Sequence, residues 1–318
     1  MFDSNTMWQD IENASAVGIA GHIRPDGDCI GACLAMYNYI TENYSCEVDV
    51  YVEEVPENLA MLRNSDEIST VCPVKAPYDV FIALDCGDLE RLGKAGDYLK
   101  KAHKSYCIDH HGTNVGFAEE NLIIPDAAAA CEILYGLFEP QRISKYTAEC
   151  LYLGIVHDTG VFKHSNTTRH TMEVAGALLD YGVSSADIID GSFYEKTYLQ
   201  NQILGRCLME SILCMNGRVI ISAVDRKVQA LYGLEGSDTD GVIDQMRITK
   251  GVEVAILLKE MNPRVWRVSM RSCNVVNVAD ICARFGGGGH IRAAGCQLNG
   301  SVYDVINTLT REIEQQLQ

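Results

Sequence analysis

The runs AVGIAGH (16–22), VFIALD (80–85) and SYCID (105–109) pass directly from apolar residues into His22, Asp85 and Asp109, and His110 and His111 follow the last. Short apolar runs alternating with helical spacing predict a mostly parallel, doubly wound sheet. In such sheets ligands bind outside the carboxyl ends of the strands. The polar residues at these ends are therefore expected to converge on one crevice.

Strand-like segments fall at 15–23, 46–54, 78–88, 104–111 and 121–125, with helical spacing at 29–43, 127–139, 145–157, 170–181 and 185–194. The pattern changes near GSFYEKTYLQ (191–200). A helix is predicted over 198–214, then strands at 217–225, 252–260 and 265–273, a glycine run, and a helix at 301–316. The expected fold is α/β. A larger N-terminal lobe (1–190) carries the parallel sheet, 191–200 is a connector, and a smaller C-terminal lobe (201–318) has a mixed sheet with helices. The active site is expected in the cleft between the lobes.

The formal charge is −17, and it is uneven. Residues 1–190 hold 30 acidic and 12 basic side chains, whereas 191–318 hold 13 and 14. An acidic front half argues against binding long duplex DNA through a broad basic patch. It is compatible with carboxylates that hold cations. The 13 cysteines are scattered with no CxxC pair, which reads as free thiols rather than disulfides or a zinc cluster. No apolar run approaches the roughly 18 residues of a membrane span, and the start MFDSNTMWQDIENAS lacks a signal-peptide pattern. The expectation is a cytoplasmic protein with no membrane partner; homodimerisation is left open.

In HIRPDGD (22–28), Asp26 and Asp28 flank Gly27 in a turn that Pro25 pre-sets before a helix. A single Asp there reads as a helix cap and a single His as a structural residue. Clustered carboxylates repel unless a cation compensates them. Asp with His suits Mn²⁺, with Mg²⁺, Fe²⁺ or Co²⁺ as alternatives, and no thiolate site is indicated. Asp158, in GIVHDTGVF, reads either as a helix terminus or as a last carboxylate. Together these residues exceed what one ion needs and match a two-metal hydrolase. In RFGGGGHIRAAG, Gly286, Gly287, Gly288 and Gly289 let backbone approach an anion, with His290 and Arg292 as donors and RAAG as the start of a helix. Arg271 and Ser272, at the end of a strand, add to a phosphate or carboxylate site.

HIRPDGD, ALDCGD, IDHHGT, GIVHDTGVF and FGGGGHIRAAG, in this order, resemble the DHH phosphoesterase superfamily, with a DHH-associated domain of the nucleic-acid type. Length and motif set resemble its stand-alone bacterial nano-RNase and pAp-phosphatase branch. The resemblance implies two divalent ions, usually Mn²⁺. His22, Asp26 and Asp85 would hold one; Asp28, Asp85, His110 and Asp158 would hold the other. It further implies His111 beside the scissile phosphate, Asp109 orienting a ligand imidazole, and Arg271, Ser272, the glycines and His290 gripping substrate. Cys29 and Cys86 depart from the familiar pattern close to these ions. The expected activity is hydrolysis of RNA of two to five nucleotides and of 3′-phosphoadenosine 5′-phosphate (pAp). Cyclic di-AMP or pApA hydrolysis, and a non-catalytic nucleotide sensor, are the alternatives.

Overall fold

The structure is a computed structural model that describes residues 2–317. The chain forms two compact units that divide between Glu195 and Lys196. No described helix is long and apolar enough to cross a membrane.

The first unit contains β1 (Ala16–Ala20), β2 (Glu47–Tyr51), β3 (Ile68–Ser69), β4 (Val80–Leu84), β5 (Lys104–Asp109) and β6 (Glu120–Ile123). All pair in parallel, in the order β3-β2-β1-β4-β5-β6. The order reverses between β1 and β4, so their carboxyl ends open the crevice expected to bind a ligand. β4 is buried throughout, as a central parallel strand covered on both faces must be. Ile19 and Ile82 join the core on one face of the sheet, and Ala20, Phe81 and Ala83 join a second cluster on the other.

The helices of this unit are α1 (Ser4–Asn13), α2 (Gly27–Asn43), α3 (Gly96–Leu99), α4 (Ala130–Leu137), α5 (Lys145–Asp158), α6 (Arg169–Leu179) and α7 (Ser185–Ile189). α7 runs into a π-turn at Asp190–Tyr194, so the helix predicted over 185–194 is two elements. α2 is buried on every side for its first ten residues, and it packs on α5. Glycine makes that approach close. A Cβ on Gly31 would lie 2.6 Å from the Cys150 carbonyl oxygen, and one on Gly154 would lie 2.6 Å from Asp28 Oδ1.

The second unit holds α8 (Tyr198–Met209), β7 (Ile212–Cys214), β8 (Val219–Val224), α9 (Arg226–Tyr232), α10 (Val242–Arg247), β9 (Val254–Asn262), β10 (Val265–Ser272), α11 (Val278–Ala283), β11 (Gly288–His290), β12 (Ala293–Asn299) and α12 (Val302–Gln316). Its sheet runs β11-β12-β10-β9-β8-β7; β8 and β9 are parallel and the other pairs antiparallel. Two expectations are corrected here. The helix predicted over 198–214 stops at Met209. Met215, Asn216 and Gly217 take positive φ and turn β7 back onto β8 as a hairpin. RAAG starts β12, not a helix, because Ala293 and Ala294 pair with Arg271 and Met270 of β10.

The helix contact gives a stability test. Gly31→Ala should destabilise the protein by about 1–3 kcal/mol, since backbone cannot yield to the added methyl as a flexible side chain would. Gly176→Ala, in α6 with nothing within 4 Å of the new methyl, should be neutral or stabilise by up to about 1 kcal/mol. Urea unfolding of both variants checks the contrast, and equal midpoints would show that the helices separate freely.

Candidate metal centre

The turn between β1 and α2 supplies three side chains. Asp26 caps α2: its Oδ1 accepts from the backbone amides of Asp28 and Cys29, both at 3.1 Å. Its Oδ2 lies 3.7 Å from His22 Nε2. Asp28 is fully buried in the first turn of α2. The first amides of α4 hold it, Ala130 donating to Oδ2 at 2.5 Å and Cys131 to Oδ1 at 3.0 Å. The cap at Asp26 and the α4 amides fix both carboxylates before any ligand arrives.

Asp85 follows β4 with φ of 51°, a left-handed conformation that Asp tolerates better than most residues. Its amide donates to the Ile108 carbonyl, so the residue stays pinned to β5. One oxygen, Oδ2, is 3.5 Å from His22 Nε2; the other, Oδ1, is 3.4 Å from His110 Nε2. His110 Nε2 is also 3.3 Å from Asp158 Oδ2 and 4.0 Å from Asp28 Oδ2. Asp158 is the last residue of α5, which ends in a left-handed turn through Gly160, Val161 and Phe162. The structure thus brings His22, Asp26, Asp28, Asp85, His110 and Asp158 to one place at the topological switch point.

The electrostatics of this cluster suit a cation. Burial pushes Asp28 well above the usual carboxylate range, and the neighbouring Asp85 and Asp158 push it further. Burial likewise lifts Asp158 to about 6, with His110 opposing and Asp85 adding. Burial pulls the His110 imidazole down, but Asp85, Asp28 and Asp158 outweigh it and raise it to about 10. Asp85 Oδ1 is buried and accepts no hydrogen bond among the described residues. A buried carboxylate oxygen left without a donor costs about 1–3 kcal/mol or more. Asp28, Asp85, His110 and Asp158 offer oxygen and imidazole donors for a divalent ion, and His22 with Asp85 offers a second set. Cys29 Sγ lies beside His22 and Asp85, but burial holds its thiol far above its ordinary range, as burial lifts Cys86 to about 12. Both cysteines are neutral packing groups here.

His22 Nδ1 is 2.9 Å from the Ile23 carbonyl and 3.0 Å from Arg91 Nη2. Burial pulls the His22 imidazole down, but Asp26 and Asp85 facing Nε2 outweigh it and raise its pKa; with a cation in place, a proton on Nδ1 would donate to the Ile23 carbonyl and free Nε2 for the ion. Arg91, six residues beyond the end of the VFIALD run, was not singled out from the sequence.

Asp109 takes a different partner from the one expected. Its Oδ1 is 2.7 Å from His111 Nδ1, and its Oδ2 accepts from Asn114 Nδ2 at 2.7 Å. It orients the second imidazole of the pair, whose Nδ1 also lies 3.7 Å from Asp85 Oδ1, and not His110. The Nδ1 of His110 instead faces the Ala127 carbonyl at 3.3 Å. Asp109 raises the His111 pKa, while its own is lowered: burial works against its charge, and the His111 and Asn114 hydrogen bonds prevail. Asn114 also donates to the Cys86 carbonyl and was missed from the sequence.

In the second unit, Ser272 is corrected. It is buried and its hydroxyl donates to the Val276 carbonyl at 2.6 Å, which leaves it no reach to a ligand. Gly287 and Gly289 serve strand packing as well as exposure: a Cβ on either would strike β12 backbone within 2.5 Å. Gly286 has φ of 73°. Gly286, Gly287, Gly288, Gly289 and His290 are all exposed. Arg271 lies 3.5 Å from Asp244 Oδ1, a half-exposed pair, while Arg292 donates to the Val276 and Asn274 carbonyls.

The DHH family, N-terminal domain, matches residues 16–155, and the DHHA1 domain matches residues 216–318. The bifunctional oligoribonuclease and PAP phosphatase NrnA of Thermus thermophilus is 30% identical over 292 residues, spanning 89% of this chain and 84% of its own. The cyclic-di-AMP phosphodiesterase PdeA of Listeria monocytogenes is 23% identical over 316 residues, spanning 93% of this chain and 46% of its own. An exopolyphosphatase-related protein of Bacteroides fragilis shares the fold, with a TM-score of 0.85 at 22% identity and coverage of 98% and 95% of the two chains. The chain belongs to the DHH family of metal-dependent phosphoesterases, which makes it a hydrolase.

Proposed function

We propose that the protein hydrolyses RNA of two to five nucleotides to mononucleotides, and pAp to AMP, with two divalent cations. The observation that supports this most is Asp85, whose two oxygens face two different imidazoles. One residue then serves two donor sets: His22 with Asp26, and Asp28 with His110 and Asp158. Oxygen and imidazole donors suit Mn²⁺ first, with Mg²⁺, Co²⁺ and Fe²⁺ also accepted. When bound, such ions neutralise phosphate charge and activate water.

The chain's own groups do the rest. Asp26 and Asp28 are preset by helix amides, so the donors are in place before substrate arrives. His111, tied to Asp109 through Nδ1, offers Nε2 to the leaving oxygen as a proton donor. Asp109 is buried and acts as a positioning residue. In the second unit, Arg271 and the exposed segment from Gly286 to His290 are the groups suited to take a phosphate. The relation to NrnA favours RNA and pAp. The relation to PdeA favours cyclic di-AMP and pApA as a second reading. Turnover of pAp, dinucleotides, five-mers, cyclic di-AMP and pyrophosphate with Mn²⁺ separates the readings. Nucleotide binding without turnover of any substrate would instead identify a sensor.

Asp85→Ala should abolish turnover and lower the content of both ions, measured by elemental analysis. Retention of two ions with wild-type turnover would refute the bridging role.

His110 and His111 should separate on substitution. His110→Ala should lose affinity for one ion, whereas His111→Ala should keep its metal and lose roughly 10²–10⁴-fold in kcat, the range for a general acid. Metal titration beside steady-state kinetics tests this, and equal metal loss in both variants would sink the distinction.

Arg271→Ala should raise KM for pAp roughly tenfold or more, the loss of a charge-assisted contact of about 1.5–3 kcal/mol, with kcat little changed. A lowered melting temperature with unchanged KM would mean that Arg271 only braces Asp244 within its own unit.

A further inference from the structure

A cavity of about 220 Å³ is lined by the two residues of the β1–α2 turn that flank His22 and by none of the clustered carboxylates. Gly21 and Ile23 line it, while His22 between them turns its side chain toward Asp85. The far walls come from the ends of β2 and β3 and from the segment after β4. They are mostly apolar, with Ile23, Tyr51 and Leu92, and Glu53, Thr70 and Lys94 add polar groups. An apolar chamber with a few placed polar groups is the usual make-up of a small-molecule site. At about 220 Å³ it falls below the roughly 300–1,000 Å³ of sites that engulf a drug-sized ligand, so it suits a fragment of a nucleotide.

Topology indicates which fragment. The strand order 3-2-1-4-5-6 is that of nucleotide-binding doubly wound sheets, in which an acidic residue near the end of β2 takes the ribose hydroxyl. Glu53 stands two residues beyond β2. Its Oε2 accepts from the Arg24 amide at 2.9 Å, which fixes the side chain against the turn. Its Oε1 accepts no hydrogen bond from any described residue, and neither Glu53 nor Lys94 has an ion-pair partner among them. The phosphate cradle of those sheets is not reproduced: Asp26 and Asp28 occupy the start of α2, which turns that terminus from anions to cations.

We propose that this cavity is a nucleoside subsite in which apolar walls hold the base and Glu53 Oε1 accepts from the ribose 2′-hydroxyl. The inference rests on the phosphoesterase reading above. It places the nucleoside against Gly21 and Ile23 of the turn, next to His22, whose side chain faces Asp85. It also gives a physical reason for choosing RNA over DNA, because a deoxyribose leaves the carboxylate without its donor.

Thr70 is exposed at the cavity wall, so Thr70→Trp fills the space without disturbing the core. Glu53→Gln keeps an acceptor for the Arg24 amide and removes the charge. With wild-type protein, a ribodinucleotide should be hydrolysed with kcat/KM roughly tenfold or more above its 2′-deoxy counterpart. Glu53→Gln should narrow that ratio severalfold. Thr70→Trp should raise KM for the ribodinucleotide roughly tenfold, with metal content, melting temperature and kcat near wild type. An unchanged KM in Thr70→Trp, or an unchanged ribo/deoxy ratio in Glu53→Gln, overturns the proposal while leaving the hydrolase reading intact. If no substrate is turned over, the hydrolase reading fails and the cavity is judged with adenosine, which carries no phosphate to reach the cluster. Adenosine should then bind metal-free wild-type protein and not Thr70→Trp, as measured by ligand-observed NMR, and absence of binding to wild type refutes the subsite.

Discussion

Mutual repulsion among Asp26, Asp28, Asp85 and Asp158 is the constraint on which the site depends. Carboxylates this close cannot all remain charged without a counter-charge, and burial of Asp28 and Asp158 raises the cost. The protein meets part of that cost with helix amides, at the caps of α2 and α4. His22 and His110 meet another part. The remainder, visible in Asp85 Oδ1, which accepts no hydrogen bond among the described residues, is what a divalent cation would offset. Stability and function are therefore coupled in the first unit. The glycine contacts that bring α2, α4 and α5 together also set the distances among the carboxylates they carry.

The strand ends were legible because side-chain chemistry and position pointed the same way. Apolar runs that stop at His22, Asp85 and Asp109 have no core-packing reason to do so, and parallel-sheet topology says where such ends meet. The partner of Asp109 was not legible. Which of two adjacent imidazoles turns back toward the strand depends on the path after β5, where His110 engages the Ala127 carbonyl and Asn114 closes on Asp109. Those contacts join residues with no pattern in common.

Two other departures carried readable signals. In β10, Trp266, Val268, Met270 and Ser272 share the buried face by the two-residue period of a strand. Ser272 thus belongs with the core, while Arg271 faces outward beside Asp244. Between β7 and β8, the Asn216–Gly217 pair flanked by apolar segments is a hairpin signal, and it outweighs the helical spacing that runs up to it from α8. The tertiary hydrogen bonds of the hairpin replace those a longer helix would have made.

The first βα turn explains how a doubly wound sheet can serve an anionic substrate through an acidic unit. In related topologies the start of the helix after β1 is bare and glycine-lined, and its amides receive phosphate directly. Here the same amides are taken: Asp26 accepts from two of them, and Asp28 stands in the first turn. A phosphate approaching this terminus would meet carboxylates at short range. Cations held by Asp26, Asp28, Asp85 and Asp158 would reverse the local field, and would give an anion its contact where other members of the topology offer backbone. The acidic balance of residues 1–190 need not oppose phosphate binding, because long-range repulsion is screened within about 10 Å at ordinary ionic strength whereas a metal contact would be direct.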